Sequence, residues 1–180
     1  MPALLLPLTF TILFLLLLSH GNRGVRTAFM ETTIVFSLTA VFITESLGAG
    51  RWIEPVPVLS AWTLILLLSS YLAYERRDHI GIRTRSAYLD ASSRIRKMSG
   101  FQKSMWGAVI TLTLLLLVQG IAYPSNSTDT LMYHLPRVVS WIGQRSVDHF
   151  PSSIYRQVYM PPFAEYLVMN VNILSGSDRY

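Results

Sequence analysis

Four stretches of this sequence run for about twenty residues with almost no charge, and that property leaves few folds open. A helix rises about 1.5 Å per residue, so about 20 apolar residues cover the roughly 30 Å hydrocarbon core of a bilayer. Met1 to Ser19, Pro55 to Tyr74 and Ser104 to Tyr123 are uncharged, and Ala28 to Gly48 carries only Glu31 and Glu45, near its two ends. A fifth run starts at Pro161-Pro162, continues through Phe163 to Leu174, and contains Glu165, Asn170 and Asn172, so it needs protein neighbours. Hydrophobic residues make up 51% of the chain and charged residues 14%, about half the charged share of a soluble domain. The expected fold is an all-α, polytopic transmembrane bundle of four to five spans, with an external amphipathic helix after the fourth.

The positions of Lys and Arg set the expected orientation, because these residues in short loops resist translocation. Between Glu75 and Lys103 lie eight of them: Arg76, Arg77, Arg83, Arg85, Arg94, Arg96, Lys97 and Lys103. With that loop cytoplasmic, Arg23, Arg26 and Arg179 fall inside as well, and only Arg51, Arg137, Arg145 and Arg156 fall outside. The first run has no basic residues before it and no small-residue cleavage pattern before His20, so it reads as a signal anchor with its amino terminus outside. The net charge of +5 does not imply nucleic acid, since the basic loop lies between two membrane runs and is interleaved with Ile80, Ile82, Leu89, Ile95, Met98 and Phe101. It reads as a membrane-surface segment contacting lipids.

After Tyr123 the sequence changes character. From Thr130 to Gln144 the apolar residues Leu131, Leu135, Val138 and Ile142, with Met132 and Val139 beside them, follow helical spacing, while Asp129, Thr130, Tyr133, His134 and Arg137 gather on the other side. This predicts an amphipathic helix along the outer interface, its polar face toward water or a cavity, kinked near Met132 by Pro136. Asp129 suits two roles, an ordinary N-cap or a functional carboxylate. His134 and Arg137 likewise fit plain interface-facing polar groups, and Tyr133, Tyr155, Tyr159 and Tyr166 fit an aromatic belt. Asn126-Ser127-Thr128 matches a glycosylation sequon.

The run Pro124 to Asp129, the Tyr133-His134-Leu135-Pro136-Arg137 stretch, Trp141, the Arg156-Gln157 pair and Pro161-Pro162-Phe163-Ala164-Glu165 together resemble the first external loop and following span of bacterial GT-C glycosyltransferases. The similarity is to the group of protein O-mannosyltransferases, aminoarabinose transferases and RgtA/B/C/D-like domains, and it covers roughly residues 105 to 180. It implies an amino-terminal membrane segment, 1–103, followed by the start of a transferase domain, 104–180. It also implies a polyprenyl-phosphate-linked sugar as donor, an acceptor that is a glycan, lipid or protein, and an active loop outside the bacterial inner or plasma membrane. Asp129 would then be the base that deprotonates the acceptor hydroxyl. Arg137, His134 and Arg156, with Tyr133, would bind substrate and the departing lipid phosphate. Members of this family have further spans and a second acidic motif in a later external loop, so the chain corresponds to the amino-terminal part of such an enzyme.

The competing class is a non-enzymatic membrane protein, a scaffold or assembly partner whose external segment docks another protein. A transporter is disfavoured because the three uncharged runs lack a mid-span ionisable residue. There is no P-loop, GxSxG or HExxH, and the absence of cysteine removes disulfides, thiolate metal sites and cysteine nucleophiles. His20, His79, His134 and His149 are too dispersed for a four-histidine metal site. A divalent cation at Asp129 would have that carboxylate as its one identifiable ligand.

Overall fold

Each uncharged run folds as a long helix whose ends are set by residues that cannot continue it. The computed structural model describes residues 2–21, 24–123 and 127–176; Arg23, Arg179, Pro124 and the sequon's Asn126 lie outside them. A short 3₁₀ turn, Pro2–Leu4, leads into α1, Leu5–Ser19. Gly21, at φ +62°, turns the chain toward α2, Val25–Ala49. Pro55, at the first position where a missing N–H costs nothing, starts α3, Pro55–Glu75. The basic stretch is helical as well: α4 spans Arg77–Lys97 and buries none of its residues. Ser99 and Gln102 then form a capping box, with Gln102 N–H donating to Ser99 Oγ at 3.2 Å and Ser99 N–H to Gln102 Oε1 at 3.0 Å, and open α5, Gly100–Ala122. Four of these segments are long and apolar enough to cross a membrane: Pro2–Ser19, Val25–Ala49, Pro55–Glu75 and Gly100–Gly120. The described residues contain no strand, so the chain is all-α.

Aromatic edges lock the first three long helices together. Phe10 of α1 meets Phe29 and Phe36 of α2 at 5.8 and 5.5 Å between ring centroids, and Phe36 reaches Trp62 of α3 at 5.3 Å. Around Trp62 gather Leu6, Ala40, Ile43 and Val58, together with Leu174 from the far end of the chain. Outward-facing apolar side chains such as Phe42, Leu64 and Leu116 are what a lipid-facing surface requires, since lipid solvates them without penalty. No residue of the membrane-length window of α5 is buried.

The two ends of the bundle differ. At one end α1 finishes, α2 begins and α4 lies across them, with Leu18, Val25, Arg83, Ala87 and Asp90 lining a shared hollow. At the other, about 37 Å away along α2, the α2–α3 turn meets the segment after α5. There Ile53 N–H donates to the Arg145 carbonyl at 3.4 Å, Arg145 pairs with Glu54 at 2.6 Å, and Gly48 lies so close to Val147 that a Cβ would stand 2.8 Å from Val147 Cγ2. The cations of α4 and the segment that carries Asp129 thus occupy opposite ends of the molecule.

The helix expected over Thr130 to Gln144 is present in two parts, a π-helical turn Thr130–His134 and α6, Leu135–Gln144. Pro136 has no N–H to give, and the π turn directly before it is the kink anticipated near Met132. The Met132 carbonyl is taken up from outside the helix by Gln157 Nε2 at 2.7 Å. The facing differs from expectation in one respect: Leu131, Met132 and Val139 are exposed, whereas Tyr133 and Arg137 from the polar side are buried against protein along with Val138 and Trp141. The apolar stripe is therefore split, with Val138 and Ile142 packed on protein and Leu131, Met132 and Val139 turned outward, while Tyr133 and Arg137 turn inward and Asp129 stays exposed. A short turn, α7, Arg156–Tyr159, precedes α8, Phe163–Ser175. At about 20 Å, α8 cannot cross a bilayer by itself. Its Tyr166, Met169, Asn170 and Leu174 are buried among helices from both halves of the chain.

Candidate functional site

Asp129 is not the helix cap that its position suggests. The turn that it joins is capped two residues earlier, where Ser127 Oγ accepts the Thr130 N–H at 3.2 Å and sits 2.6 Å from Thr130 Oγ1. Asp129 makes no capping hydrogen bond, and its carboxylate is exposed inside the first turn. From there it borders a groove of about 360 Å³ with Tyr133, Tyr155, Arg156 and Tyr159. Burial, and after it the Asp129 carboxylate, push the Tyr133 phenol above the usual tyrosine range, while Arg156 pulls it the other way. A carboxylate, a neutral phenol and a guanidinium thus share one largely apolar groove, and Tyr155 and Tyr159, stacked at 4.6 Å, form part of its wall.

The other two candidate residues are drawn elsewhere. Arg137 Nη1 donates to Glu165 Oε1 at 3.0 Å and its Nη2 to the Met160 carbonyl at 2.9 Å, with its guanidinium 5.0 Å above the Trp141 ring. His134 Nδ1 lies 3.0 Å from the same Glu165 oxygen. Arg137 is 3% exposed and Glu165 1%, so the charge of each is compensated by the other within protein. The Tyr133 and His134 rings, 4.2 Å apart, join this buried cluster to the groove.

Three groups beyond those candidates matter for the architecture. Glu165 ties α6 to α8; Asn170 accepts from Trp62 Nε1 at 2.8 Å and donates to Thr44 Oγ1 at 3.0 Å; and the Tyr166 hydroxyl donates to Glu45. Their polarity within an apolar run was the available signal, because an acid or amide in a membrane environment needs a partner. The sequence does not say which partner.

A divalent ion at Asp129 does not fit the groove. Asp129 is the single carboxylate on its wall, no three His, Asp or Glu side chains converge among the described residues, and a hard cation takes six or more oxygens. No family model, curated protein or solved structure matches the chain. What the site can do is set by its own chemistry: an exposed acid able to take a proton, beside an exposed cation able to meet an anion, against an apolar wall.

Proposed function

We propose that the chain belongs to an integral-membrane glycosyltransferase that moves a sugar from a polyprenyl-phosphate donor to an acceptor on the extracytoplasmic side. The observation that carries this reading is the convergence of Asp129, Tyr133 and Arg156 on one apolar groove, at the end of the bundle opposite the basic α4. Nucleotide sugars are absent across the membrane, so a donor there arrives on a lipid, and a groove with an apolar wall and one cation suits a lipid phosphate. Asp129 removes the proton of the acceptor hydroxyl, and the hydroxyl oxygen bonds to the anomeric carbon. The bond from that carbon to the phosphate oxygen breaks, with its electron pair leaving on the phosphate. Arg156 is the cation on the wall of that groove, and its charge would meet the departing phosphate. Arg137 and His134 act through Glu165 by holding the helix that presents Tyr133.

In the full-length protein, Asp129→Asn is expected to lower sugar transfer by about 10²–10⁴-fold, the usual contribution of a general base, with unchanged accumulation in the membrane. Transfer at the parental rate would remove Asp129 from the mechanism. The second reading, a non-enzymatic assembly partner, is favoured by the complete exposure of the membrane-length window of α5, which offers a bare apolar face to another membrane protein. On that reading, Asp129→Asn has no consequence.

A further inference from the structure

A second cavity, of about 410 Å³, lies on the other side of Tyr159, which lines both hollows. It is built from parts distant in sequence: Glu45 at the end of α2, Arg137 and Trp141 of α6, and Asp148 and His149 from the loop that follows. Its volume falls in the range of small-molecule sites, about 300–1,000 Å³. Its loop is held in place: Gln144 Nε2 donates to the Ser146 and Asp148 carbonyls at 2.9 and 2.7 Å, and Ser146 Oγ accepts the Asp148 N–H at 3.2 Å. The backbone of Asp148 is therefore fixed while its side chain is exposed and without a hydrogen-bond partner among the described residues. Glu45 uses one oxygen to accept from Tyr166 and keeps the other.

We propose that this cavity binds a polyhydroxylated ligand, a sugar ring whose hydroxyls donate to the Glu45 and Asp148 carboxylates. The charge balance selects against the alternatives. The Arg137 charge is matched by Glu165, so the carboxylates of Glu45 and Asp148 dominate the wall and repel a phosphate. An alkyl chain would strand both acids. A cation would be drawn to the two acids but finds the Trp141 face already covered by Arg137, 5.0 Å from the ring, and the ethanolamine arm of the test below separates that outcome. A hydroxyl can donate to the acids and also accept from a donor such as His149, which also lines the wall. As a polyol site the cavity stands on its own geometry; as the place where a transferase would hold the body of its acceptor, beside the groove where Asp129 meets the reacting hydroxyl, it rests on the function proposed above.

The test uses the full chain in lipid nanodiscs, with saturation-transfer NMR on methyl glycosides of hexoses and pentoses, and on ethanolamine, at about 10 mM, a level that detects millimolar affinity. Saturation is expected on the ring protons of at least one glycoside, undiminished by added inorganic phosphate and absent from ethanolamine. Glu45→Gln and Asp148→Asn each weaken binding about tenfold, the loss of one charge-assisted hydrogen bond. Asp148 serves as the control for folding, since its side chain is exposed. No signal from any glycoside, glycoside signals that survive both substitutions, or binding of ethanolamine alone would each overturn the proposal. Glycoside binding lost in Asp148→Asn, combined with sugar transfer that survives Asp129→Asn, would sink the transferase mechanism and leave this site standing.

Discussion

Arg137 and Glu165 show how a buried charge changes meaning with its partner. Each side chain is nearly inaccessible, so removing one strands the other in a low dielectric. Arg137→Ala or Glu165→Ala is expected to cost about 3–5 kcal/mol of stability, read as a lowered thermal midpoint in detergent. Arg137→Met combined with Glu165→Leu should cost clearly less than either single change, and additive losses would contradict the pairing. Tyr133 gives a second expectation at this scale. Its phenol ionises above the ordinary value of about 10, because burial and Asp129 disfavour the phenolate. Its contribution to stability is therefore whole below that ordinary value and is lost as the pH rises through the raised one. In a phenolate absorbance titration, the component that disappears in Tyr133→Phe should ionise late, and in Asp129→Asn it should ionise earlier. An unshifted component would place Tyr133 away from the carboxylate.

Among the elements, the end of α2 and the loop after α6 approach closely. A helix-interior Gly→Ala change normally stabilises by about 0.5–1 kcal/mol, but at Gly48 the new methyl would stand 2.8 Å from Val147 Cγ2 and 3.2 Å from Val147 N. Overpacking of about 1–3 kcal/mol outweighs the propensity gain, so Gly48→Ala should destabilise, and Val147→Ala should recover part of the loss. A stabilised Gly48→Ala in thermal unfolding would mean that loop and helix are not in contact. The helix from Thr130 to Gln144 was legible from its spacing, and Pro136 from its missing N–H. The facing was legible only in part, since Val138 of the apolar stripe is buried while other members are not. A hydrophobic stripe marks one side of a helix as apolar but does not say whether protein or lipid lies against it, and here Leu131 and Val139 turn outward while Arg137 turns in. Of the two roles open to Asp129, the cap falls to Ser127, two residues earlier, which reaches the Thr130 N–H first.

For the whole molecule, the functional reading needs α4 and the Asp129 segment on opposite sides of a membrane. The chain has no cysteine, so single introduced thiols report sidedness without background. Ser127→Cys should react with a membrane-impermeant maleimide added to intact cells, and Ser99→Cys should react only after permeabilisation. The reverse pattern would place the groove in the cytosol and remove the need for a lipid-carried donor. The sequence by itself determined that this is an all-helical chain with four membrane-length helices, because helix rise and bilayer thickness are fixed lengths and uncharged runs can be counted against them. It also determined that the cations concentrate in one loop. Only the tertiary structure decided which polar groups meet. It sent Arg137 and His134 to Glu165 and left Asp129 with Tyr133 and Arg156, because the pairing of residues 28 and 31 positions apart depends on how α8 packs into the bundle. Local periodicity carries no information about that packing.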